Sequence, residues 1–158
     1  MHPLTALAAL LSVLLAAPAA AQTPFADLDV DPEAALEMTA DRMVVDRESG
    51  GIEMTGGVTI AQGDMRLTGQ TVSIAYTEGE PRQISRITAT GGVTLVSAQD
   101  AAEAARAVYD VLDRTVVMTG DVLVTQPSGI LAAERMTVNI DTGEAVMEGR
   151  VRTVLDGN

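Results

Sequence analysis

The chain has 158 residues, a formal net charge of −12 and no cysteine. Its ten basic residues are all arginines, scattered between Arg42 and Arg152, and its only aromatics are Phe25, Tyr76 and Tyr109. Neither the cation cluster that releases counterions from phosphates nor the stacking rings of a nucleic-acid binder is present, so no nucleic-acid partner is expected.

Beyond His2 there is no His, Cys, Lys or Trp. That removes the usual nucleophile and base partners and the nitrogen and sulfur ligands of common metal sites, so no cofactor, metal or catalytic residue is expected. A carboxylate-dependent hydrolase is the enzyme class that the composition still allows, but sites that cleave sugars also use aromatic platforms.

In chain order, the first feature is the apolar run Leu4 to Ala21, which ends in Ala19-Ala20-Ala21 before Gln22. This is the small-residue cleavage pattern of a secretory signal peptide, so residues 1–21 are expected to be removed on export. An uncleaved membrane anchor is the alternative, because no Lys or Arg precedes the run. Residues 22–37 read as a linker; Asp27, Asp29 and Asp31 alternate with Leu28 and Val30 there and lack the remaining ligands of a calcium loop. Residues 38–155 are enough for one domain, and 156–158 form a tail. An exported chain without disulfides must hold its fold by burial and strand pairing.

From Met38 onward the sequence repeats itself. Met54-Thr55-Gly56-Gly57-Val58, Ala89-Thr90-Gly91-Gly92-Val93, Met118-Thr119-Gly120-Asp121-Val122 and Met147-Glu148-Gly149-Arg150-Val151 share one signature, with first glycines 35, 29 and 29 residues apart. A second signature runs out of phase: Ala40-Asp41-Arg42-Met43-Val44-Val45 matches Ala133-Glu134-Arg135-Met136-Thr137-Val138. The six residues that lengthen the first interval fall in Thr77 to Arg82, where Gly79 and Pro81 mark a loop. A recurring unit of about 29 residues points to stacked layers around one apolar interior.

Within each unit the apolar residues alternate, the period of a half-buried strand. The inward set reads Ile52, Met54, Val58 and Ile60, then Val72 and Ile74, then Ile87, Val93 and Leu95. It continues with Val116, Met118, Val122 and Val124, then Met136 and Val138, then Met147 and Val151. On this phase the first glycine of each signature also points inward. Between Leu67 and Val72, and between Leu131 and Met136, the apolar positions change parity, so the strand turns a corner or carries a bulge. The alanine-rich segment Gln99 to Arg114 has helical propensity. The repeat frame nevertheless sets Ala107, Tyr109 and Val111 on the positions of Val72, Ile74 and Tyr76, which predicts a strand.

The Thr-Gly-x-Val turns and Ala-Asp/Glu-x-Met/Val strands resemble those of the LptA/OstA-like family of periplasmic lipopolysaccharide transport proteins, over Met38 to Val154. The resemblance implies an all-β fold: a twisted β jelly roll of stacked antiparallel strands, built from four repeats and open at both ends. It implies that acyl chains of lipid A lie in the interior, which makes Ile52, Met54, Val58, Ile60, Val72, Ile74, Val93, Leu95, Val122, Val124, Met136 and Val138 the expected lipid-binding residues. It also implies a bridge across the periplasm, joined head to tail with further copies, from an inner-membrane lipopolysaccharide export complex to an outer-membrane translocon. Met43, Val44, Val45, Met147 and Val151, on the two terminal strands, are then the expected interface residues, since an open edge accepts a further strand. Two alternatives stay open: a membrane-anchored LptC-like component of the same pathway, and a ligand-free structural β-solenoid whose dry core uses the same residue types.

Overall fold

The computed structural model describes residues 34–155. The expected signal segment, Asp27, Asp29 and Asp31, and the tail lie outside the described residues. All ten regular elements among the described residues are strands: β1 (Leu36–Thr39), β2 (Arg42–Val45), β3 (Ile52–Gln62), β4 (Met65–Tyr76), β5 (Ile84–Ser97), β6 (Asp100–Asp110), β7 (Thr115–Gln126), β8 (Gly129–Asn139), β9 (Ala145–Glu148) and β10 (Arg152–Leu155). The alanine-rich segment is strand β6 from Asp100 to Asp110, with Val111 to Arg114 forming the turn that follows, and Thr77 to Arg82 lies in the loop between β4 and β5.

Every pairing is antiparallel, and β3 to β8 follow one another across the sheet in chain order. At one margin β1 and β2 both pair with β3, and at the other β9 and β10 both pair with β8. The sheet therefore has eight rungs, the first and last each broken once, and it is not closed.

The breaks and the repeated glycines share one line across the sheet. The pairing register shifts between Thr55 and Val58, between Thr90 and Val93, and between Thr119 and Val122. At each shift two residues of an odd-numbered strand oppose one residue of the next strand, which is a β-bulge that bends the ladder. The residues facing the bulges, Gln70, Ala105 and Glu134, point outward together with the residue that follows each of them, so the inward phase resets at the bend. This is the physical cause of the parity change seen in β4 and β8. The fourth bulge, Gly149-Arg150, separates β9 from β10, and the Gly149 carbonyl accepts a bond of 3.0 Å from the Glu134 N–H.

The bulge glycines do not point inward as the alternation suggested. Gly91 and Gly120 are exposed. Both have a φ of +84°, a left-handed conformation that a side chain resists. A Cβ on Gly91 would stand 2.6 Å from Cβ of Gln70, and one on Gly120 would stand 2.7 Å from Cβ of Ala105, on the outer face. A bulge adds one residue and so breaks the period of two, which turns these glycines outward.

The bend divides the sheet into two leaves whose inner faces share one core, from Met54 and Val58 at one margin to Met136 and Val138 at the other. Enclosure is complete on both leaves: Met54, Val72, Met118 and Met136 beside the bend, and Ala102 and Val124 on the opposite leaf, have no solvent exposure. Burying a side chain of this size contributes about 1.5–3 kcal/mol, which substitutes for the missing disulfides.

Candidate lipid-binding interior and strand edges

The interior is built in transverse rows, each strand giving one inward side chain per row. In the row beside the bend, Met43 pairs with Met54, Met54 with Val72, Val72 with Ala89, Ala89 with Ala107, Ala107 with Met118, Met118 with Met136, and Met136 with Met147. Large side chains flank a gap of two alanines at β5 and β6. Further out on the same leaf the row runs through Ile74, Ile87, Tyr109, Val116 and Val138. On the opposite leaf it runs through Ile60, Leu67, Leu95, Ala102 and Val124.

A cavity of about 230 Å³ lies over the alanine gap, lined by Ala89, Ala107, Ile87, Tyr109 and Val116 from one leaf and by Ile60, Leu67 and Leu95 from the other. Leu36, Gln62, Met65, Ile84, Val111 and Ile140 complete the lining. The lining carries no charged side chain. No buried side-chain nitrogen or oxygen among the described residues lacks a partner. Such a space accepts an apolar guest and offers an ionic one nothing to bind.

The expected lipid-binding residues divide into groups. Ile60 and Leu95 line the cavity. Met54, Val58, Val72, Ile74, Val93, Val122, Val124, Met136 and Val138 are buried in the surrounding core, and Ile52 is half-buried. Sequence reasoning placed Ile87 and Val116 inside without assigning them to the site, and it did not single out Ala89. The signal for the alanines was present in the repeat: Ala89 holds the position occupied by Met54, Met118 and Met147 in the other three signatures.

The expected interface residues lie on the two open margins. Met43, Val44 and Val45 on β2 are exposed, as is Val151 at the start of the last half-rung, and Met147 on β9 is half-buried. Val45 is 57% and Leu155 68% exposed, large apolar side chains that a monomeric edge normally replaces with charge or proline.

Among the described residues most charge lies on the outer face and in the loops; Asp100, at the start of β6 opposite the buried Ser97, is part-buried and accepts a hydrogen bond of 3.2 Å from Gln126 Nε2. Arg86 donates to Asp110 at 2.9 Å, and with the Asp113 N–H at 3.2 Å this holds the Asp110 carboxyl below the usual aspartate range. Hydrogen bonds from Ser49, its N–H first and then its hydroxyl, do the same for Asp46 in the loop between β2 and β3. Arg114 pairs with Asp141, which raises the arginine's pKa. Near the last margin Arg150 pairs with Glu134 at 2.5 Å, and Arg135 lies 3.7 Å from Glu148. These pairs are exposed, so they orient the surface and contribute little to stability.

No curated protein matches the chain. Among solved structures it is similar to LptH, the LptA-homologous periplasmic component of the conserved lipopolysaccharide transport device from Pseudomonas aeruginosa. The TM-score is 0.72 at 18% identity, and the match covers 82% of this chain and 100% of that one. The shared fold is the bent, open jelly roll described above. The family model for the LptA/(LptD N-terminal domain) LPS transport protein matches residues 37–144, from β1 into the turn before β9. With its repeats, bulge line and open margins accounted for, the chain belongs to the family of LptA and LptD N-terminal domain lipopolysaccharide transport proteins.

Proposed function

We propose that this chain is a periplasmic lipopolysaccharide-binding bridge, exported with a cleaved signal peptide over residues 1–21 and folded as one domain over 38–155, extended at its start by Leu36 and Glu37 of β1. The observation that carries the reading is the uncharged cavity of about 230 Å³ between the leaves, placed where two alanines interrupt a row of larger side chains. Lipid A acyl chains enter it, with the lipid-binding residues named from the sequence forming its walls and the packed core that holds those walls apart. Each CH₂ buried contributes about 0.8 kcal/mol, so a partly inserted chain gains several kcal/mol without a charged contact. This suits a protein with a net charge of −12, which would repel a phosphorylated headgroup.

The two margins supply the bridge. Met43, Val44 and Val45 on one side and Met147 and Val151 on the other accept strands from the inner-membrane export complex, from the outer-membrane translocon, or from further copies joined head to tail. No chemistry is assigned to the site; the role is transport.

Filling the gap tests the reading. Ala89→Met with Ala107→Met restores the large residues of the row and should weaken binding of fluorescent lipopolysaccharide by about tenfold or more, ~1.4 kcal/mol. Circular dichroism checks that the sheet is kept. Unchanged affinity in a folded double variant would show that the lipid does not use the cavity.

A further inference from the structure

Among the described residues the residue facing each bulge lies between two bulge pairs, except at the first margin. Gln70 lies between Gly56-Gly57 and Gly91-Gly92, Ala105 between Gly91-Gly92 and Gly120-Asp121, and Glu134 between Gly120-Asp121 and Gly149-Arg150. Asp41 belongs to the same series, since its N–H donates to the Gly56 carbonyl at 3.0 Å just as the Glu134 N–H donates to Gly149. Its other side is open. At the far margin Gly149-Arg150 is the one bulge with a facing residue on a single side.

We infer that Gly149-Arg150 of one copy receives Asp41 of a second copy, and that this fixes the register of the joint. The inference rests on the proposed role of the margins as joints. Within the chain, the step from β7 to β8 pairs Thr119 with Arg135 before the bulge and Val122 with Ala133 after it. Carried across the joint, the same step pairs Glu148 with Arg42, Met147 with Met43 and Val146 with Val44 before the bulge. After it, Val151 pairs with Ala40 and Leu155 with Leu36.

The signature and the chemistry of both faces agree with this register and with no slip of one residue. The signature Ala40-Asp41-Arg42-Met43 repeats Ala133-Glu134-Arg135-Met136, the segment that already docks on such a bulge. On the outer face, Glu148 meets Arg42 as it meets Arg135 within the chain, and Arg150 is set to reach Asp41 as it reaches Glu134. On the inner face, Met147 and Met43 join the two ends of the row beside the bend, making it continuous between copies, and the exposed Leu155 covers Leu36. A one-residue slip would turn every side chain of the joining strand to the wrong face.

The absence of native cysteine makes the test direct. Two otherwise wild-type chains, Val44→Cys and Val146→Cys, are mixed under mild oxidation and separated on a non-reducing gel, with light scattering of the unlabelled chain alongside. A disulfide-linked dimer is expected from this mixture, with little from Val44→Cys alone or from Val44→Cys with Glu148→Cys. Arg42→Glu should weaken association about tenfold, and adding Glu148→Arg should restore it. Cross-linking that favours Val44→Cys alone or the displaced pair, in a chain that still associates, would overturn the register while leaving the bridge reading intact. A chain that stays monomeric at high concentration would overturn both.

Discussion

The line of bulges carries the largest consequence per residue. At Gly120 the backbone is left-handed and the facing Ala105 Cβ leaves no room for a side chain, whereas at Gly79 the φ is +92° with nothing within 4 Å of an added Cβ. Gly120→Ala should therefore cost about 1–3 kcal/mol and more than Gly79→Ala in urea unfolding, with Ala105→Gly recovering the steric part but not the backbone part. Equal losses at both glycines would mean that the bulge contact is not structural. Inward and outward positions of one strand should also separate sharply. Ile74 is 3% exposed, and an aspartate there would hold an unpaired carboxyl among apolar neighbours, so Ile74→Asp should lose about 3–5 kcal/mol or prevent folding. The same change at exposed Ser73 should move the melting midpoint little.

The strands and their stacking in layers were legible because period-two alternation and a recurring unit both survive in the sequence, while the antiparallel arrangement came with the family resemblance. β6 shows how far that goes: Ala102, Ala104 and Ala107 favour a helix locally, and the strand wins because each continues a row of buried side chains from β5 to β7. The glycine orientation was not legible, since a bulge cancels the alternation that the reading relied on. The cavity was only half legible. Ile60 and Leu95 followed from inward phase, but Ala89 and Ala107 define the space by being small, and a residue that contributes by what it lacks leaves no hydrophobic signal. Stability along the sheet should follow pairing, because β4 to β7 have full-length neighbours on both sides while β1, β2, β9 and β10 are paired on one side only. Amide exchange should accordingly be slowest in Val72, Val93 and Met118 and fastest in the four short strands. Uniform protection would show that the margins are already covered by association.

At the scale of the molecule, an open bent sheet solves two problems with one device. Bending brings two apolar faces together without closing the edges, so the interior stays accessible from its mouth while both margins remain available to other strands. Chains stacked through those margins would align their interiors into one apolar path, with the acidic surface outside. Whether lipid A occupies the space between the leaves, as proposed, is read most directly by site-specific photo-crosslinking to lipopolysaccharide. A photoreactive residue at Ile60 or Ile87, both lining the cavity, should give lipid adducts, and one at exposed Ser73 or Glu103 should not. Adducts from the outer positions alone, or from none of the four in a folded chain, would show that lipid A does not occupy the interior.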